Sequence, residues 1–407
     1  MSSPEFDLLV LGASMTGVEL IHQLRRTSAG RKLKICVVDR LAAHTYIPLC
    51  HEWLTGRVDP AEGTLQTKAY VESGGRATYR VGEIVGVDLD AMAVELEGGE
   101  TLRARAAVVA LGSTIGVPDG VGGREKFRTL KFGPEIERAQ ADLARVLGED
   151  GPADPRVLVV GGGITGVELA GELAWLRAHP NGAQTGGGSA GSRPFEITLV
   201  HGGERLLPAL CPRAGERAAE ALEKQGVDLR LNTRLVEHEG EGVLLRDGTS
   251  GKAETLRLEC HLAYWGGGLR PAPLLAQIGL PRTENGWLAV SPSLQCFPMG
   301  DGPAGWFAGG DAVRIQGGDG EWNTMQRAIE CIWQAKVLAR NLLAFLGVAD
   351  DEDPVFVPHR LREEFPHGVS VGAHSLVVWG PLVVDRPGIN TWFRRWLMAQ
   401  YMARYAP

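Results

Sequence analysis

No stretch of this chain reaches the roughly 20 uninterrupted apolar residues that a membrane-spanning helix needs. The nearest candidate, VSVGAHSLVVWGPLVV at 369–384, is rich in β-branched residues and broken by Gly372, Gly380 and Pro381. It predicts strands of a soluble unit instead. A surplus of positive charge is also missing. Lys and Arg number 42 against 49 Asp and Glu, a formal net charge of -7. That argues against nucleic acid as the main partner, because a phosphate backbone selects a basic face. The start, MSSPEFDLLVLG, lacks the charged, apolar and cleavage regions of a secretory signal and runs straight into a strand. Cysteines are scattered at 36, 50, 211, 260, 296 and 331, with no CxxC or other close pair. Such spacing suits a reducing compartment and offers no set of metal ligands. The expectation is a cytoplasmic protein without a metal centre.

What the chain does have is apolar residues, 44% of 407, enough for large cores and two or three domains. It also says nearly the same thing twice. Residues 10–24 read VLGASMTGVELIHQL and residues 159–173 read VVGGGITGVELAGEL. Each is a buried apolar strand, a small-residue turn and a helix. The turns follow the GxGxxG scheme at Gly12, Ser14 and Gly17, and at Gly161, Gly163 and Gly166. The first glycine makes the turn, the second admits a pyrophosphate to the backbone, and the third lets helix and strand touch. Ser14 departs from the scheme, but a serine is small and its hydroxyl can donate to phosphate. Thr165 lies within the second turn.

The scheme also wants an acid at the end of the following strand to hold ribose hydroxyls. Asp39 meets this, followed by Arg40. The second copy places His201 there, once the Gly- and Ser-rich surface insertion at 179–194 is set aside. His201, with Arg205 nearby, does not repel a 2′-phosphate as an acid would, so NADH and NADPH both stay open. Two such corners predict two dinucleotides, one a bound flavin and the other a diffusing nicotinamide. Around them, strands alternate with helices in βαβ order. A further strand, GWFAGGDAV, carries Asp311, and a long helix is expected over about 324–346. The tail from 355 forms a separate small unit.

Five further stretches carry a resemblance: HTYIPLCHEWLTGRVDP from His44, VVALGS from Val108, LVHGGERLLP from Leu199, AYWGGGLRP from Ala263 and FAGGDAV from Phe307. With the two corners, the chain resembles the two-dinucleotide-domain flavoprotein disulfide reductases. More narrowly it resembles the type II NADH:quinone oxidoreductases, sulfide:quinone reductases and apoptosis-inducing-factor-like proteins. The resemblance implies an α/β fold with two Rossmann-like domains. An FAD domain at 1–120 and 287–347 is interrupted by an NAD(P)H domain at 121–286, and a C-terminal unit covers 348–407. It implies FAD on Gly12, Ser14, Gly17, Asp39, Arg40, Pro48, Ala110, Gly112, Gly310, Asp311 and Met325. It implies NAD(P)H on Gly161, Gly163, Thr165, Gly166, His201 and Gly267. Glu168 would lie near both rings, to orient one or move a proton.

The resembling quinone reductases carry Ala-Gln-x-Ala-x-Gln-Gln at the start of the long helix. Here Gln326 and Ala328 match, while Glu330 and Cys331 replace the glutamine pair. Gln326 and Glu330, four apart, are expected on one helix face where they bracket a quinone. In the tail, Ile389, Trp392, Phe393, Trp396, Leu397 and Tyr401 recur at near-helical spacing, with Arg394, Arg395 and Arg404 as basic flanks. Such a helix at 389–405 fits a membrane interface, on the inner face of the membrane, or the protein body or a second copy of the chain. Two other activities stay open. One is a single-cysteine peroxide or disulfide reductase using Cys50, with Cys331 across the ring. The other is a redox-sensing flavoprotein of slow turnover.

Overall fold

The computed structural model describes residues 5–180, 193–248, 254–297, 301–317, 320–322, 326–349, 355–362, 365–386 and 388–406. Most of the predicted insertion, and Met325, lie outside the described residues.

The first sheet grows from apolar runs buried on both faces. β1 (Phe6–Leu11) leads through a turn into α1 (Met15–Arg25) and back to β2 (Ile35–Asp39). After a short helix, α2 (Cys50–Leu54), come β3 (Ala77–Val81), β4 (Ile84–Asp88), β5 (Ala93–Leu96) and β6 (Thr101–Val109). The strand order is β3-β2-β1-β6-β5-β4. β1 lies parallel to both β2 and β6, which is why Leu8, Leu9, Val10 and Leu11 read as one unbroken apolar run.

A second sheet restarts the pattern. Helix α3 (Gly133–Leu147) precedes β7 (Arg156–Val160), α4 (Ile164–Ala178), β8 (Glu196–Val200), β9 (Asp228–Arg230) and β10 (Leu262–Trp265). Its order is β9-β8-β7-β10, all parallel. Strand Leu269–Pro271 then pairs antiparallel with Ser113–Ile115 and carries the chain back. β11 (Trp306–Ala308) slots beside the end of β6, on the side away from β1. Helix α5 (Ala328–Phe345) packs on α1.

The tail forms an antiparallel sheet of β12 (His367–Val371), β13 (His374–Trp379) and β14 (Leu382–Asp385), then helix α6 (Ile389–Arg404). The strands predicted at 369–384 are therefore present. This unit sits tight on α4: a Cβ on Gly171 would stand 2.5 Å from the Gly372 nitrogen.

Candidate active site

The first corner is set by backbone contact. Gly12 leaves β1 at φ +103°. A Cβ there would lie 2.4 Å from the Ala110 carbonyl oxygen, and one on Gly17 would lie 2.0 Å from the Gly12 oxygen. Neither position admits a side chain. Ser14 is the N-cap of α1, and its side chain makes no capping hydrogen bond. Met15 and Thr16 behind it are buried. A buried helix start without a side-chain cap is suited to an anion, and the Ser14 hydroxyl can add a donor. Asp39 ends β2 and accepts the N–H groups of Ala13 (2.7 Å) and Leu41 (2.9 Å), with His44 Nε2 at 3.0 Å. Burial pushes its pKa up, but His44 and the two amides outweigh that and hold it below the usual value. Its oxygens keep lone pairs for ribose hydroxyls. The Arg40 guanidinium lies over the Phe132 ring at 4.9 Å.

The carboxyl ends of β6 and β11 supply the rest. Ala110 meets Gly12, Gly112 turns at φ +67° and Gly310 at φ +79°. Asp311 Oδ2 accepts the Ser113 hydroxyl at 2.9 Å. Lys131, buried, donates to that hydroxyl at 2.5 Å and stands 3.5 Å from the carboxylate. Gln334 accepts the Gly310 N–H at 2.7 Å and leaves its own Nε2 buried without a partner. Pro48 sits in the tight turn Ile47–Leu49 that leads into α2. Glycine cradles, an uncapped helix start and an orphaned buried donor fit a dinucleotide here.

The second corner repeats the logic. A Cβ on Gly166 would lie 1.7 Å from the Gly161 oxygen, whereas one on Gly163 would meet nothing within 4 Å. The middle glycine therefore faces open space, where a pyrophosphate can approach. Thr165 is exposed in the first turn of α4. A Cβ on Gly267 would lie 2.5 Å from the Trp265 ring. His201 directly follows β8, and its Nδ1 accepts the Gly162 N–H at 3.2 Å. Burial lowers its pKa below the usual imidazole value. Nearby, Arg205 donates to the carbonyls of Leu207, Pro208 and Leu210 at 3.2, 2.8 and 3.0 Å, which ties it to its own loop.

Between the corners lies a polar row that local sequence patterns did not reveal. Glu168 accepts the Ser370 N–H at 3.1 Å and lies 3.8 Å from His51 Nδ1. Burial pushes its pKa up to about 7, against the pull of Arg394 and the amide. Across His51 stands Glu52, fully buried, held by Arg394 and by Arg395 at 2.5 Å. Burial would raise Glu52, yet the arginines and His51 take it down to about 2. Glu172, one turn beyond Glu168, pairs with Arg57 at 3.0 Å. Burial raises it to about 7.

Three expectations fail here. Gln326 and Glu330 do not share a helix face. Gln326 takes the left-handed conformation at φ +49°, so α5 starts only at Ala328. Gln326 donates to the Asp311 carbonyl at 3.0 Å, while Glu330 is buried on His359. Nor do the tail arginines form a basic fringe: Arg394 and Arg395 turn inward to Glu52, and Arg404 to Glu19. Finally, Cys50 and Cys331 do not pair across one site. Each lies in a different apolar cluster, and burial pushes each thiol up to about 12.

Helix α6 has two faces. Met398, Tyr401, Met402 and Tyr405 pack inward, with Tyr401 stacked on Tyr46 at 4.8 Å. Ile389, Trp392, Phe393, Trp396 and Leu397 stay outside, Trp392 at 65% exposure. The hairpin beneath adds exposed Trp379 and Leu382. Among the described residues, no helix is long and apolar enough to cross a membrane.

Known proteins resemble this chain. A type II NADH:quinone oxidoreductase of Haemophilus influenzae is 28% identical over 372 residues, covering 83% of this chain and 80% of its own. A demethylphylloquinone reductase of Synechocystis is 26% identical over 334 residues, 76% of this chain and 74% of its own. Two solved structures share the fold. NDH2 from Plasmodium falciparum in complex with NADH superposes with TM-score 0.82 at 14% identity, covering 98% of this chain and 96% of that one. The sulfide:quinone oxidoreductase of Aquifex aeolicus does so with TM-score 0.79 at 13% identity, covering 98% and 91%. Residues 6–335, from the first strand through both glycine corners to α5, match one sequence family, and the chain belongs to it: the pyridine nucleotide-disulphide oxidoreductases.

Proposed function

We propose that this chain is an FAD-dependent NAD(P)H dehydrogenase that passes electrons to a quinone. The observation that carries the reading is the pair of glycine corners, each opening on a helix start without a side-chain cap, with Glu168 between them. The quinone acceptor is supported by relatives named as NADH:quinone oxidoreductases and a demethylphylloquinone reductase. FAD, when held there, would supply the hydride chemistry that links NAD(P)H to a two-electron acceptor.

The residues of the chain bind, orient and manage protons. Gly12, Ser14, Gly17 and Asp39 would hold the FAD diphosphate and ribose, and Asp311 with Lys131 and Ser113 would meet the chain leading to its ring. Gly161, Gly163, Thr165 and Gly166 would hold the nicotinamide nucleotide, with His201 toward its ribose and Gly267 lining the return loop. Glu168, titrating near neutrality, is matched to exchanging a proton at working pH. Gln326 is fixed at the Asp311 backbone, where it would stand close to the cofactor. Glu330 is a structural partner of His359. A disulfide or peroxide mechanism at Cys50 has no support, since a thiol near 12 holds almost no thiolate at neutral pH.

In this reading the outer face of α6 docks to a lipid surface and the enzyme works peripherally on a membrane. Aromatic side chains exposed on one helix face are suited to a headgroup boundary.

Anaerobic reduction with NADH or NADPH, followed by a short-chain quinone, hydrogen peroxide or a disulfide, tests the activity. Fast return of flavin absorbance with quinone alone is expected. Fast return only with peroxide or disulfide overturns the reading. For docking, vesicles should float the chain, and Trp392→Ser with Trp396→Ser should release it. A chain that ignores vesicles but sediments as a dimer assigns this face to a second copy instead.

A further inference from the structure

The polar row links the docking helix to the proton site. Glu52 has no exposed surface, and its hydrogen-bonding cations come from α6: Arg394 and Arg395 both donate to it. A buried carboxylate that loses its cations must take up a proton or leave the interior. His51 is equally enclosed. Its Nε2 lies 4.0 Å from Glu52 and finds no hydrogen-bond partner, while its Nδ1 faces Glu168 Oε2 at 3.8 Å. The other oxygen of Glu168 is occupied by the Ser370 amide, so the free one points along the row.

The charged groups around Glu168 come from every neighbouring element. α2 brings His51 and Glu52, the turn after it Arg57, α4 Glu172, and α6 Arg394. Arg57 is taken up by Glu172 and the Gly372 carbonyl. Among the charges acting on Glu168, Arg394 has the strongest influence, downward, and Glu52 a weaker one, upward.

We propose that Arg394 is a positioning residue of the redox site: by closing the Glu52–His51–Glu168 row from α6, it makes proton delivery to the quinone depend on that helix being seated. This rests on the reading that Glu168 handles the proton. The overall reaction is NADH + H⁺ + quinone → NAD⁺ + quinol. The hydride supplies both electrons and one hydrogen, Glu168 gives up the remaining proton, and solvent restores it. Because the outer face of α6 is the docking face, surface attachment and proton handling meet on one helix.

The test compares full-length, FAD-loaded variants with a short-chain quinone over about pH 5.5 to 9. Ferricyanide serves as control, since it accepts electrons and takes up no proton. Arg394→Met should move the alkaline limb of the quinone rate up by about one pH unit, with ferricyanide turnover unchanged within about twofold. Arg394→Lys should restore the limb. Glu52→Gln should move it down, a reversal that a purely structural clamp does not produce. If Arg394→Met loses FAD, Glu52→Gln and Arg394→Lys carry the same test. An unmoved limb in these variants, while Glu168→Gln abolishes it, overturns the role of Arg394 and leaves that of Glu168. A limb that survives Glu168→Gln overturns the reading beneath.

Discussion

Replacing Gly166 with alanine tests which nucleotide each corner holds. The new Cβ would stand 1.7 Å from the Gly161 oxygen, where an ordinary contact needs about 3.5 Å. α4 must therefore retreat from β7 by well over 1 Å, and the phosphate seat at its start moves with it. Overpacking of this kind costs about 1–3 kcal/mol, a fall of several degrees in melting temperature for a chain of this size. The functional loss is steeper, because about 1 Å of misplacement can cost about 100-fold in rate. Gly166→Ala should stay yellow, with normal FAD content and normal photoreduction, while NADH-driven bleaching slows about 100-fold or more. Gly17→Ala, whose Cβ would lie 2.0 Å from the Gly12 oxygen, should do the reverse: pale protein that still binds NADH by calorimetry. Stopped-flow absorbance and FAD content decide it. A Gly166→Ala protein that loses FAD yet binds NADH normally refutes the assignment.

The two raised carboxyls should make stability fall as pH rises from about 4.5 to 7, against an opposing gain up to about pH 6.5 from His51 and His367, which burial lowers to about 3 and about 4. Glu168 and Glu172 are both raised to about 7 in the folded chain, so over that window the folded state holds protons the unfolded state has released. Glu52, lowered to about 2, acts oppositely: its contribution is present above its unfolded pKa and is lost as pH falls toward 2. Glu172→Gln should therefore make the slope of melting temperature against pH more positive between about pH 4.5 and 7; an unaltered slope in that variant contradicts the burial argument. His201→Asp should make the chain reject NADPH, whereas the parent uses NADH and NADPH within about tenfold of each other, about 1.4 kcal/mol; equal discrimination in both proteins in steady-state kinetics removes His201 from the ribose site. Cys50→Ala should keep at least half of quinone turnover, and a loss beyond about tenfold, about 1.4 kcal/mol in barrier, would restore a thiol step.

Both corners were readable in the sequence because their causes are local. A glycine at 12 or 161 is required by contacts that strand, turn and helix always make, and Asp39 and Asp311 follow at strand ends. The polar row was not readable, for an equally physical reason. Glu52 meets Arg394 across 342 positions and Glu19 meets Arg404 across 385, and no periodicity marks a partner so distant. Lys131 follows a loop without regular pattern. Gln326 was misplaced because four-residue spacing implies a shared face only inside a helix, and its backbone turns left-handed before the helix begins. The tail helix was half legible: its apolar spacing was visible, but arginines that looked like a solvent fringe are drawn in by a carboxylate on another element.

The route of the chain has a consequence for its biosynthesis. β7 through β10 belong to one continuous stretch that can collapse as soon as it leaves the ribosome. The first sheet cannot be completed then, because β11 must slot beside β6 some 200 positions after β6 was made. Until that strand and α5 emerge, an unpaired edge at β6 waits in the open, a state prone to misassociation. Flavin capture therefore comes late in synthesis, and a shortage of riboflavin should show itself first as degradation of newly made chain.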